Sequence, residues 1–410
     1  MGLTPDDHVV IVGAGLAGWR TCEELRRHGF KGRLTLIGDE SEAPYDRPPL
    51  SKQVLAGKWP PAHTLLATPE KLERAHVDLR MGIGASRLNV ENTTVTLRDG
   101  SEVRGTHVVV ATGARARLLP WYEPNVFLMR NLADARRLLE RLDQLSPGDA
   151  VAVVGGGFIG AEVATAMTTR GLHAIVLEAA PRPLIGVLGE TVSRWLEGLP
   201  ADFGVELRTN QKVGAVAYRY DRGINGDADV IFDDGSALRV RAIVMGVGAQ
   251  PNVEWLTESG LPLENGVVVN ANQLCAERVG AVGDVASFPW NDGTHVRIEH
   301  WQVATDHAAA LARHWMTGEQ SPRLIPYFWS DQYGKKIQML GHPRPDDDVL
   351  RVKDTGEGQW LGVYSRSGVV TGLIALNQPR ALMLSKVLLE VPTSLDDALS
   401  TAPWAPPSTG

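Results

Sequence analysis

Apolar residues along this chain fall in short, unbroken, β-branched runs, each closed by glycine and followed by a stretch with helical spacing. His8-Val-Val-Ile-Val12 is the first such run, of the kind buried on both faces of a parallel sheet. Gly13-Ala-Gly-Leu-Ala-Gly18 follows at once, and a helix is predicted from there to about His28. Arg26, Arg27 and His28 suit the carbonyl end of that helix dipole, and Gly29 can close it in the left-handed conformation. Arg33-Leu-Thr-Leu-Ile37 is the predicted second strand, ending at Gly38-Asp39-Glu40.

The same pattern returns 142 residues later. Ala150-Val-Ala-Val-Val154 runs into Gly155-Gly-Gly-Phe-Ile-Gly160, a helix is predicted to Arg170, and Ala174-Ile-Val-Leu177 ends at Glu178. Each half also has a later apolar strand entering glycine, Val108-Val-Val-Ala-Thr-Gly113 and Ala242-Ile-Val-Met-Gly-Val-Gly248. The architecture is duplicated.

The glycine spacing has a physical reason. The first permits a tight strand-to-helix turn, the second admits a pyrophosphate to backbone N–H groups, and the third lets helix pack on strand. An acid at the tip of the second strand holds ribose hydroxyls; Asp39 lies 21 positions past Gly18 and Glu178 lies 18 past Gly160, close to the roughly 20 this motif uses. Candidate dinucleotide contacts are therefore Gly13, Ala14, Gly15, Leu16, Ala17, Gly18 and Asp39 in one copy. In the other they are Gly155, Gly157, Phe158, Ile159, Gly160, Glu178 and Gly248. Two such sites most simply pass a hydride between them, which predicts FAD in the first and a nicotinamide in the second. Glu178 favours NADH, since a carboxylate accepts from a free 2′-hydroxyl and repels a 2′-phosphate; Arg182, close by in sequence, weakens that preference.

Composition narrows the class. A chain of 410 residues exceeds one ordinary core, so two or three domains are expected. A net charge of -7 disfavours nucleic acid as a principal partner. Two cysteines, Cys22 and Cys275, 253 positions apart, exclude a disulfide framework, a CxxC pair and a cysteine-ligated cluster, and fit a reducing cytoplasm. The first seven residues carry acids rather than a basic region, so no secretory signal is expected. Residues 151–167 are apolar enough to suggest a membrane span, but three adjacent glycines and Glu162 argue against one. His300, His307 and His314 recur every seven residues, about 10.5 Å apart along a helix and too far to share one metal ion. The proline-rich tail from Ala402 is expected to lack order.

Several further stretches carry a resemblance: Pro44-Tyr-Asp-Arg-Pro-Pro-Leu-Ser-Lys52, Ala111-Thr-Gly-Ala-Arg115, Val282-Gly-Asp-Val-Ala286, Arg297-Ile-Glu-His-Trp301 and Tyr327-Phe-Trp-Ser-Asp-Gln-Tyr333. With the two glycine loops, they make the chain resemble, over nearly its whole length, the FAD-dependent, NADH-using ferredoxin reductases that feed oxygenases. This putidaredoxin reductase-like family is distantly related to apoptosis-inducing factor. The resemblance implies an α/β fold with two Rossmann-like dinucleotide-binding domains in a glutathione-reductase-like arrangement, plus a C-terminal α+β domain. It places the FAD domain at 1–115 and 246–321, the NAD(H) domain at 116–245, and the C-terminal domain, facing the flavin, at 322–410. It also implies that Lys52, paired with Glu162, stands beside the reacting flavin and stabilises its reduced form. Arg47, Ala85, Ala111, Thr112, Gly113, Arg130, Asp284 and Trp301 become FAD contacts, with Trp329 a second aromatic at the flavin.

The activity so implied is that of a ferredoxin–NAD(+) reductase: hydride from NADH to FAD, then single electrons to a small iron-sulfur ferredoxin that supplies a haem or Rieske-type oxygenase. Residues 41–52 contain no cysteine, which disfavours the disulfide- and peroxide-reducing relatives. An acidic ferredoxin would want a basic face, for which Arg313, Lys335 and Lys336 are candidates. A cytoplasmic monomer or weak dimer is expected. Two alternatives stay open: an NADH-dependent reductase of quinones, dyes or oxygen, and an NADH-sensing flavoprotein.

Overall fold

The computed structural model describes residues 2–219, 227–290, 293–356 and 358–405. It divides into two compact units, one made of residues 1–46, 64–115 and 249–324, the other of 47–63, 116–248 and 325–410. Residues 47–63 thus pack with the second unit although the chain on either side belongs to the first.

The first unit is built on a six-stranded sheet in the order Leu274–Ala276, Val279–Ala281, His107–Val110, His8–Val12, Arg33–Ile37, Val77–Arg80. All neighbours are parallel except the first pair. Its central strand is apolar from Val9 to Val12 because both faces are covered there. Val9 and Ile11 pack with Trp19, Cys22, Leu25, Leu311 and Trp315 of the helices Leu16–Arg27 and Trp301–Thr317. Val10 and Val12 pack on the opposite side with Leu88, Val95 and Val103 of a small antiparallel sheet. Each such fully buried aliphatic side chain contributes about 1.5–3 kcal/mol. The predicted helix ends at Arg27, and Gly29 takes φ +91° as its closing residue.

The second unit repeats the module. Its parallel sheet runs Glu206–Arg208, His173–Leu177, Ala150–Val154, Ala242–Met245, Phe127–Leu128. The stretch 151–167 is thereby split between a buried strand and the helix Phe158–Thr169. Among the described residues no helix is long and apolar enough to cross a membrane. The helix Leu132–Leu142 opens with a capping box, Asn131 and Asp134 each bonding the other's backbone N–H.

This unit also holds a three-stranded antiparallel sheet, Val213–Tyr218, Ala228–Phe232, Ala237–Val240, and, in its C-terminal part, a five-stranded antiparallel sheet, Tyr327–Gln332, Lys335–Gly341, Val369–Leu376, Trp360–Arg366, Asp348–Asp354. On one face Leu340, Leu361 and Leu373 bury Leu382, Leu388 and Ala398 of short C-terminal helices. On the other, Ile337, Trp360 and Ile374 receive Leu188, Val192 and Leu196 of the helix Ile185–Leu196. That helix kinks at Gly189, φ +77°, where a Cβ would lie 2.2 Å from the carbonyl oxygen of Pro345. Trp404, in the tail expected to lack order, is buried in the sheet's core cluster; residues 406–410 of that tail lie outside the described residues.

Candidate active site

The two glycine loops are built alike. Gly13 has φ +115°, and a Cβ there would sit 2.1 Å from the carbonyl oxygen of Ala111; Gly155 has φ +104°, with Gly246 O at 2.4 Å. Gly18 and Gly160 would each bring a Cβ to 1.9 Å from a backbone oxygen, of Gly13 and Gly155 respectively. The middle glycines differ: a Cβ on Gly15 or on Gly157 would meet nothing within 4 Å. Each of these is the N-cap of a 12-residue helix with no side chain capping it. Both loops therefore leave open space before uncapped helix N–H groups, which fits a pyrophosphate.

The acids at the strand tips are not equivalent. The registers place Val12 opposite Ile37 and Val154 opposite Leu177, so the position matching Glu178 is Gly38, and Asp39 lies one residue further on, exposed. Glu178 is half-buried and turned onto its loop, accepting from the N–H groups of Gly156 and Ala180, both at 2.7 Å.

Several predicted residues of the first unit gather near its loop. Ala111 touches Gly13 as above, and Gly283, φ +76°, is close enough to the helix start that a Cβ would lie 2.7 Å from Cβ of Ala17. This holds the adjoining Asp284 by the glycine loop, with its carbonyl accepting from Arg297 at 3.1 Å. Two residues given no cofactor role from the sequence fix these turns. Asn252 accepts from Thr112 Oγ1 and donates to Thr112 O, each at 2.8 Å, and its N–H reaches Gly113 O at 3.0 Å. His307, fully buried, accepts from Gly283 N–H at 3.3 Å; burial pushes its imidazole down to about 3. Trp301 Nε1 donates to Asp46 Oδ1 at 2.8 Å, and Ala85 begins the strand Ala85–Asn89, half-buried.

In the second unit Lys52 and Glu162 meet. Lys52 lies in a helical turn whose bonds skip five residues, Val54 N–H to Pro49 O and Leu55 N–H to Leu50 O, a form frequent at functional sites. Its ammonium donates to Glu162 Oε2 at 2.8 Å and to Pro48 O at 3.3 Å. Ser51 also donates to Glu162 Oε2, and Ser330 donates to Oε1, both at 2.6 Å. Glu162 is 3% exposed and the Lys52 side chain 12%. A carboxylate so buried is tolerable only because a cation and two hydroxyls satisfy it.

Ser330 arrives by a matching of repeats. Four helix residues rise about 6 Å and two strand residues about 6.6 Å, so Phe158 and Glu162 face Phe328 and Ser330 in register. The two phenylalanine rings lie 4.4 Å apart, and beyond the strand's end Thr165 Oγ1 accepts from Tyr333 N–H at 2.8 Å. Trp329 projects from the opposite face of its strand and stacks on Tyr327 at 5.9 Å. Arg47 Nη1 donates to Arg130 O at 2.8 Å, which brings those two residues together. Ile159 is exposed at the helix start, and Gly248, φ +101°, has open space around it. Lys336 is paired with Asp331 at 2.5 Å.

Comparison with known proteins fits this geometry. Residues 7–308 match the family described as pyridine nucleotide-disulphide oxidoreductase, and residues 327–405 match the reductase C-terminal family. The chain belongs to the pyridine nucleotide-disulphide oxidoreductase family. Within it, the protein is an oxidoreductase whose cofactors are FAD and NAD(H), as the paired loops imply. It is 34% identical over 401 residues to the ferredoxin reductase component of chlorobenzene dioxygenase from Cupriavidus sp. (strain PS12), covering 95% of this chain and 94% of that one. It is also 34% identical to the ferredoxin–NAD(+) reductase subunit of the benzene 1,2-dioxygenase system of Pseudomonas putida, covering 94% and 92%. The crystal structure of the covalent putidaredoxin reductase–putidaredoxin complex matches with a TM-score of 0.90 at 29% identity, covering 98% of this chain and 100% of that one.

Proposed function

We propose that this member of the family is the ferredoxin–NAD(+) reductase of an oxygenase system, oxidising NADH and delivering electrons to a small iron-sulfur ferredoxin. The observation that carries the reading is the presence of two open glycine cradles in a chain whose two thiols are separate, Cys22 buried and Cys275 half-buried. Burial pushes both thiols, Cys22 and Cys275, up to about 12. Neither can serve as a redox nucleophile at neutral pH, so electrons must leave for an external acceptor. The relatives named as ferredoxin reductase components of dioxygenase systems support a ferredoxin in that place.

When bound, FAD supplies the centre that takes electrons from NADH as a hydride and releases them singly. In this reading Gly13 to Gly18 hold its pyrophosphate and Asp39 its adenosine ribose. Ala85, Ala111, Thr112, Gly113, Asp284 and Trp301 line it, with Arg47, Arg130 and Trp329 as further contacts. Gly155, Gly157, Phe158, Ile159, Gly160 and Gly248 receive NADH, and Glu178 accepts from its ribose. Lys52, fixed by Glu162, presents a cation that favours the reduced cofactor. No side chain need act as nucleophile or substrate base.

The same reading assigns the FAD domain to 1–115 and 246–321, the NAD(H) domain to 116–245 and a flavin-facing domain to 322–410. It places a monomer or weak dimer in the cytoplasm, apart from membranes and nucleic acid; the net charge of -7 supports the last point.

The test is NADH-driven cytochrome c reduction by the FAD-loaded protein, with and without an added small ferredoxin. A large ferredoxin-dependent increase is expected. Fast turnover of quinones or dyes with no gain from several ferredoxins would replace this reading with a reductase lacking a protein acceptor. Slow turnover with every acceptor would favour an NADH sensor.

A further inference from the structure

Beyond the strand His173–Leu177 the chain doubles back over the second glycine loop. Glu178 bonds Gly156 N–H and Ala180 N–H, and a Cβ on Gly156 would lie 3.1 Å from Cβ of Pro183. Arg182 therefore stands one residue from a contact with the loop, on the segment where an arginine can accommodate a 2′-phosphate. It is the only cation between Glu178 and Pro183.

That cation is already engaged on two edges. Arg182 Nη1 lies 2.6 Å from Glu190 Oε1, and its Nε lies 2.9 Å from Glu197 Oε2. Glu190 is anchored in turn by Arg194 Nη2 at 2.9 Å, a bond that holds its carboxyl below the usual carboxylate range. Within this network two arginines, Arg182 and Arg194, are balanced by two carboxylates, Glu190 and Glu197, so no positive charge is left over for a 2′-phosphate, while Glu178 is turned onto the glycine loop itself. Arg208, whose carbonyl accepts from Glu178 N–H, is likewise paired, with Glu206 at 2.7 Å.

We infer that Glu190 and Glu197 determine the choice of nicotinamide cofactor, by holding Arg182 in a two-carboxylate clamp that withholds it from the 2′-phosphate of NADPH. The inference rests on the reading that the second glycine loop binds NADH, and adds to Glu178's repulsion a second, separable source of discrimination. Arg182 itself has the chemistry to bind a 2′-phosphate; the clamp keeps it from doing so.

Two partly exposed ion pairs must be given up to free the guanidinium, so the clamp should cost NADPH between about twofold and thirtyfold in affinity. The experiment measures, on the FAD-loaded protein, kcat/KM for NADPH and NADH and the equilibrium binding of 2′,5′-ADP and 5′-AMP. It compares wild type, Glu190→Gln with Glu197→Gln, and each of these with Arg182→Ala added. In the double glutamine variant NADPH and 2′,5′-ADP should gain within that range, while NADH and 5′-AMP change less than about twofold. Arg182→Ala should abolish the gain there, and by itself should not raise NADPH use above that of the wild type. The two single glutamine variants, each keeping one pair, should give intermediate gains. The clamp is refuted if the double variant gains nothing for 2′,5′-ADP, or if the gain survives Arg182→Ala. A wild type that neither oxidises NADH nor binds 5′-AMP would instead sink the nucleotide reading, and the clamp with it.

Discussion

Lys52 Nζ lies 2.8 Å from Oε2 of Glu162, a residue 110 positions away, and the carboxylate it meets is also held by the hydroxyls of Ser51 and Ser330. This network joins the turn 50–54, the helix after the second glycine loop and the first strand of the C-terminal sheet within one unit. Glu162→Ala would leave a lysine and two hydroxyls without their acceptor, and is expected to destabilise the protein by about 3–5 kcal/mol. Lys52→Met with Glu162→Gln, which removes both charges, should be closer to wild type than Glu162→Ala in thermal unfolding. Both variants should slow flavin reduction by NADH in stopped-flow absorbance. Unchanged reduction rates in both would end the catalytic assignment of the pair while leaving its structural role.

The glycines of each loop should separate by function. Gly18→Ala and Gly160→Ala drive a Cβ into backbone oxygen at 1.9 Å and are expected to cost about 4 kcal/mol or more, or to prevent folding. Gly157→Ala meets nothing within 4 Å, at a φ of −76° that alanine accepts. Its stability should stay within about 1 kcal/mol of wild type, while KM for NADH rises about tenfold. Steady-state kinetics alongside a melting curve distinguish the two classes.

Neither thiol is expected to matter for turnover. Cys22→Ala with Cys275→Ala should retain NADH-driven acceptor reduction within about twofold. Iodoacetamide at neutral pH should not inactivate the wild type, because burial keeps both thiols protonated. Inactivation by the reagent, or loss of turnover in a folded double variant, would reopen a thiol-based route.

His307 gives a pH dependence of known sign. Burial lowers its folded-state pKa from 6.5 to about 3, so the unfolded chain takes up the proton first. The stability it contributes is complete above pH 6.5 and is lost as pH falls towards 3, at about 1.4 kcal/mol per unit. Between pH 6.5 and 4.5 the wild type should lose about 2–3 kcal/mol that His307→Gln does not. His8 and His107, also lowered by burial, act alike in both proteins and cancel in the difference. Melting temperatures across that range that run parallel for the two would contradict the assignment.

The sequence by itself determined the two nucleotide modules. Their strands announce themselves as apolar runs because both sheet faces are covered, and their glycines are legible because each meets a local constraint within a few residues of chain: a positive φ at Gly13 and Gly155, and a 1.9 Å approach at Gly18 and Gly160. The pairing of Lys52 with Glu162 was reachable only through the resemblance, since the chain between them, a separation of 110 positions, carries no periodic trace of it. Tertiary structure alone decided that Ser51 and Ser330 complete that carboxylate's shell and that Asn252 staples the turn at Thr112 and Gly113. It also decided that Gly38, not Asp39, matches Glu178 in register, and that Arg182 is bound to Glu190 and Glu197. The physical reason is common to the three polar contacts among these. Burial periodicity and turn chemistry act over a few residues and leave a pattern in the chain, whereas a polar side chain's partner is chosen by packing between distant segments, which leaves none.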